Sequence, residues 1–134
     1  MGDPAPPAVL VVDDDVEACE ATVALLESHG YDVVTVNNGR DAIGLIKMGT
    51  VRPHVIVVDP TTLRIDAWQF HAELLCDEAL AAIPVIVLSA DGRPAMSAAA
   101  GAMRAVAAIP KPIDPGDLLR LVAACCAPGT ARIR

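Results

Sequence analysis

The sequence predicts an α/β domain with a doubly wound parallel sheet. Three observations carry this. A strand, loop and helix pattern recurs five times along the chain. Most strand segments are continuously apolar, as strands covered by helices on both faces must be. The apolar runs also end on polar or charged residues, which an open α/β sheet gathers at the carboxyl ends of its strands.

Along the chain, residues 1–7 are Pro-rich and read as a loose leader. Ala8 to Val12 is a continuous apolar run and reads as a buried strand, ended by Asp13, Asp14 and Asp15. Val16 to His29 has helical apolar spacing, with Gly30 as its stop. Asp32 to Val36 is a β-branched strand. Asn37, Asn38 and Gly39 form a turn, and Arg40 to Met48 a helix. His54 to Val58 is the third strand, ended by Asp59-Pro60, and Asp66 to Leu80 is read as one helix. Pro84 to Leu88 is a strand ended by Ser89, and Pro94 to Met103 a short Ala-rich helix. Ala105 to Ile109 is a weak fifth strand before Lys111-Pro112, and Pro115 to Cys126 the last helix. Residues 8–126 thus form one domain, and 127–134 a tail.

Composition narrows the function. The 134 residues are 54% hydrophobic and 20% charged, with a net charge of −7. The sequence pI of about 4.7 speaks against direct nucleic-acid binding, which needs basic surface to neutralise phosphates. Aromatic content is 2%, too little for base-stacking platforms. No apolar run is long enough for a membrane span, and the N-terminus does not resemble a signal peptide, so the expectation is a cytoplasmic protein. Cys19, Cys76, Cys125 and Cys126 lack metal-like spacing and sit in apolar stretches, so they read as small core residues.

The candidate site is set by the residues just after the strands: Asp13, Asp14 and Asp15, then Asp59, Ser89 and Lys111. Singly, each has an ordinary explanation. Asp15 suits a helix N-cap, Asp59-Pro60 a turn, Ser89 a turn or cap, and Lys111 a loop lysine. Together they make a chemical set. Crowded carboxylates repel and stay ionised only beside a cation. An all-oxygen acidic cluster suits Mg²⁺, which keeps waters and a phosphate in its shell. One carboxylate can then attack phosphorus and form an aspartyl phosphate. A lysine and a hydroxyl would neutralise the transferred oxygens.

These residues resemble the receiver domains of bacterial two-component response regulators. The matching stretches are Val9-Leu-Val-Val-Asp-Asp-Asp15, His54-Val-Ile-Val-Val-Asp59, Ile83-Pro-Val-Ile-Val-Leu-Ser-Ala90 and Lys111-Pro112, and the resemblance runs from Val9 to about Ala124. It implies a flavodoxin-like (βα)5 three-layer fold with strand order 2-1-3-4-5. It implies Asp59 as phosphoacceptor and metal ligand, with Asp13 and Asp14 as the acidic pair holding Mg²⁺ (Asp14 the more direct ligand) and the Thr61 carbonyl completing the set. Ser89 would follow the phosphoryl group and Lys111 would pair with it. The donor would be the phosphohistidine of a histidine kinase or phosphotransfer protein. The domain would catalyse its own phosphotransfer and dephosphorylation rather than act as a conventional enzyme, and would relay the signal to an output protein or tethered domain. By the same resemblance, substitutions at Thr61 and Asp91 are expected to change the phosphoryl lifetime more than Mg²⁺ affinity.

The chain also departs from the family pattern. Leu63 and Ala67 stand where the family commonly has Pro and Gly, and Pro60 directly follows the acceptor. A rearranged loop with a usable acceptor is expected. Ala108 replaces the aromatic residue that swings inward in the family, so coupling to the distal face must use another element. The competing expectation is a pseudo-receiver, a protein-binding module of the same fold that works without phosphorylation. A flavin carrier is disfavoured, because aspartates after the first strand repel a phosphate. An aspartyl-phosphate phosphatase is disfavoured because Thr61 stands where its second Asp belongs.

Overall fold

The computed structural model describes residues 6–65, 67–90 and 94–126. The five strands are β1 (Ala8–Val12), β2 (Asp32–Val36), β3 (Val55–Val58), β4 (Val85–Ala90) and β5 (Ala107–Lys111). They form one sheet in the order β2-β1-β3-β4-β5, and every pair is parallel. The helices are α1 (Val16–Ser28), α2 (Gly39–Lys47), α3 (Ala67–Leu75), α4 (Glu78–Ala81), α5 (Pro94–Ala102) and α6 (Pro115–Cys126), with a 3-10 turn at Pro60–Thr62.

Central strands β1 and β3 are apolar throughout because both of their faces are covered. On β1, Leu10 and Val12 join the core on one face with Ile46, Phe70 and Met103. Val9 and Val11 join the other with Leu26, Leu118 and Val122. Successive side chains point to opposite faces, so one strand serves two cores. Edge strand β2 is only half-buried and carries exposed Asp32 and Thr35.

Local chemistry sets the ends. Asp15 caps α1, its side chain accepting from the Ala18 amide. At the other end, Gly30 takes φ +90°, its amide donates to Glu27 and that of Tyr31 to Leu26. That is a left-handed helix stop, which glycine adopts without a Cβ penalty. Asn38 caps α2 through the Asp41 amide.

Three expectations need correction. The helix expected over residues 66–80 is two helices, broken at Cys76-Asp77. The Asp77 carboxylate accepts from the Ala79 amide and starts a new helix, α4. The fifth strand runs later than expected and includes Lys111, since pairing with β4 sets Ala90 opposite Lys111. Pro110 is tolerated there because β5 is an edge strand. Finally, Cys76 is exposed, whereas Cys125 is buried and Cys19 and Cys126 are half-buried; all four are free thiols.

Candidate phosphoacceptor site

Asp13 and Asp59 close adjacent central strands. The Asp13 amide continues the ladder to the Val36 carbonyl at 3.1 Å, and the Asp59 amide bonds the Val12 carbonyl at 2.9 Å. Both residues are 5% exposed. Lys111, at the end of β5, reaches across and places its Nζ 2.9 Å from Asp13 Oδ2 and 2.8 Å from Asp59 Oδ2. One ammonium therefore bridges two buried carboxylates from distant parts of the chain.

The remaining carboxylate oxygens are held locally. Asp13 Oδ1 accepts from the Asp15 amide at 3.0 Å. Asp59 Oδ1 accepts twice from Thr61, from its amide at 3.0 Å and its hydroxyl at 2.7 Å. This is N-capping of the 3-10 turn by Asp59, with Pro60 in the first helical position. There an amide hydrogen would have no intrahelical partner, so the missing donor of Pro60 costs nothing. Thr62 fastens the turn by donating from Oγ1 to the Asp59 carbonyl at 2.9 Å.

Among the described residues of the loop after Asp59, Arg64 is left-handed, with φ 59°, and Ala67 begins α3. Gly39 packs directly against this loop. Its amide donates to the Leu63 carbonyl at 2.7 Å, and an added Cβ would meet that oxygen at 3.0 Å.

Burial raises the cost of charge on Asp59, yet the Lys111 and Thr61 hydrogen bonds and the Lys111 charge outweigh it and hold the carboxyl below its ordinary range. Burial likewise disfavours the charged Lys111. Its bonds to Asp59 and Asp13 and their charges overcome this and push the ammonium above its ordinary range. Asp59 is thus ionised at neutral pH and Lys111 protonated.

The other expected residues take distinct places. Ser89 is buried at the same end of the sheet, opposite Pro110, though its hydroxyl is not among the groups bonded to Asp59. Asp14 is exposed and takes no part in the Lys111 bridge. Asp91 and Asp66 lie outside the described residues. Among the described residues, no group of three or more His, Cys, Asp or Glu side chains forms a metal cage. The convergent set is the two buried carboxyl groups of Asp13 and Asp59, whose donor atoms are all oxygen, with the Lys111 ammonium between them. That donor set fits Mg²⁺, which uses one or two carboxylates and keeps its waters.

Sequence reasoning misses two features. It does not foresee that the Thr61 amide and hydroxyl both bond Asp59. Cys19 lies under the site, with Sγ donating to the Asp13 carbonyl at 3.2 Å. Its position one helical turn after Asp15 is the available signal.

Comparison with known proteins agrees with this fold. Residues 9–123 match the family model of the response regulator receiver domain. Protein PilH of Pseudomonas aeruginosa is 28% identical over 119 residues, which cover 89% of this chain and 97% of PilH. The signal receiver domain of a signal transduction histidine kinase from Syntrophus aciditrophicus superposes with a TM-score of 0.80 at 26% identity, covering 96% of this chain and 95% of that one. The receiver domain of sensor histidine kinase PA1611 from Pseudomonas aeruginosa PAO1, solved with a magnesium ion coordinated in its active-site cleft, gives a TM-score of 0.77 at 23% identity, covering 89% and 96%. With the sheet order, the acidic pair and the family match in agreement, this chain belongs to the response-regulator receiver domain family.

Proposed function

We propose that this domain, residues 8–126, accepts a phosphoryl group on Asp59 from the phosphohistidine of a histidine kinase or phosphotransfer protein in the cytoplasm. The observation that carries this reading is the Lys111 bridge between buried Asp13 and Asp59. A carboxylate oxygen of Asp59 would attack phosphorus as the phosphorus–nitrogen bond breaks. The bonding pair would stay on the histidine nitrogen, which regains a proton, and an acyl phosphate would form on Asp59. Lys111, already within reach of Asp59 Oδ2, would pair with a phosphoryl oxygen. Ser89, on the neighbouring strand end, would donate its hydroxyl to another.

Asp13, Asp14, Asp59 and the Thr61 carbonyl would hold Mg²⁺. When bound, the metal supplies charge neutralisation for the phosphoryl oxygens. The magnesium seen in the PA1611 receiver supports this choice of metal. Hydrolysis of the acyl phosphate by water would reset the domain, which is therefore a self-catalysing switch that relays through protein contacts to an output protein or tethered domain.

A pseudo-receiver reading has one observation in its favour: Ala108 is exposed on the edge strand β5 and offers no ring to couple the site to a distal face. Calorimetric titration with Mg²⁺ separates the two. The proposal expects saturable binding that Asp13→Asn and Asp59→Asn each weaken at least tenfold. Absence of binding in the parent protein favours the pseudo-receiver.

A further inference from the structure

An ionised carboxylate offers about four accepting positions, two on each oxygen. On Asp59 three are filled: two on Oδ1, by the Thr61 amide and hydroxyl, and one on Oδ2, by Lys111. On the proposed reading of this site, Asp59 must serve a cation and present an electron pair to phosphorus, which takes two positions. The open one is on Oδ2, beside Lys111; with that oxygen kept for phosphorus, a cation needs a place on Oδ1, where a donor has to leave.

The three donors are not equally free. The Thr61 amide is fixed by the backbone of the 3-10 turn that Asp59 caps. Lys111 sits on Oδ2, not Oδ1, and has a phosphoryl oxygen to move to only once one arrives, so its departure does not clear Oδ1 for a cation. The Thr61 hydroxyl leaves by rotation about one side-chain bond, and Thr61 is exposed, so water can take up the freed hydroxyl. We propose that the Thr61 hydroxyl is a releasable latch on Asp59 Oδ1, closed in the resting site and opened when the divalent cation is loaded. Thr61 is then a positioning residue acting through Asp59. The inference rests on the phosphoacceptor reading and adds an effect on metal affinity to the effect on phosphoryl lifetime expected of Thr61.

The test is Mg²⁺ affinity by calorimetry for the parent, Thr61→Val, Thr61→Ser, and both Thr61→Val and its parent in an Asp59→Asn background. Valine keeps the shape and the backbone amide but loses the donor. The latch predicts binding to Thr61→Val about tenfold tighter, the worth of one hydrogen bond to a charged group. It also predicts Thr61→Ser within about twofold of the parent, and no valine effect once Asp59 is replaced. A merely structural role for Thr61 would not give serine rescue together with dependence on Asp59. Unchanged or weaker binding by Thr61→Val, with a parent that binds, overturns the latch and leaves the phosphoacceptor reading standing. If neither protein binds Mg²⁺, both fall.

Discussion

Replacing Lys111 with Met keeps most of the apolar stem and removes the ammonium. Asp13 and Asp59, each 5% exposed, would then face each other without a cation. Removing one partner of a buried ion pair costs about 3–5 kcal/mol. The Lys111 side chain retains 20% exposure, so water already shares part of its charge and the cost falls to about 2–3 kcal/mol. For a domain of this size that corresponds to a melting temperature about 8–12 °C lower. The pH dependence identifies the cause. In the parent, Asp59 is held below its ordinary range, so its stabilising contribution is present above the unfolded-state value and is lost as pH falls through the folded one. In Lys111→Met, burial and the facing carboxylate would raise Asp59 instead. Its contribution then favours low pH and is lost as pH rises. The gap between parent and variant should therefore be wide near about pH 8 and narrow near about pH 5 in thermal melts followed by circular dichroism with chelator present. A gap below about 1 kcal/mol, or one that does not change with pH, refutes the claim that Lys111 neutralises this pair.

Two further predictions concern the loop that holds the site and the reactivity of the thiols. Gly39→Ala would press a Cβ to 3.0 Å from both the Leu63 carbonyl oxygen and Leu63 Cδ2, and the loop holding Asp59 and Thr61 would have to shift. A loss of about 1–3 kcal/mol is expected in urea unfolding; an unchanged midpoint would show that the loop yields freely. Burial and the neighbouring Cys125 push the Cys126 thiol up to about 11. Near about pH 8 only roughly one in a thousand of its molecules is thiolate, so brief alkylation mapped by mass spectrometry should mark exposed Cys76 first. Equal labelling of Cys126 would contradict its placement.

Much of the fold is legible in the sequence because its signals are local. The apolar runs of β1 and β3 are long enough to need cover on both faces, and each ends at an aspartate that closes a strand. Gly30 and Asp15 announce the ends of α1 through conformational and capping preferences that need no tertiary information. The break at Cys76-Asp77 lacks glycine and proline, and only the capping habit of Asp77 signals it. The fifth strand is set too early because alanines carry little strand preference, and its register comes from pairing with β4. The candidate residues can be found one by one at strand ends, but the sequence carries no sign that one lysine spans both carboxylates. Asp13 and Lys111 lie 98 residues apart, and only the crossovers of the sheet bring them together. The Thr61 hydroxyl is hidden for another reason: Pro60 looks like a disruption of the acceptor loop, whereas it sits at the first position of a turn that brings Thr61 back onto Asp59.

The central claim, that Asp59 takes up a phosphoryl group with the help of Mg²⁺, is tested most directly by intact-protein mass spectrometry after incubation with acetyl phosphate. The parent is measured with Mg²⁺ and with chelator, and Asp59→Ala with Mg²⁺. The account predicts the mass gain of one phosphoryl group in the parent with metal and none in either control. The same gain in Asp59→Ala, or a gain in the parent that chelator does not diminish, would contradict it.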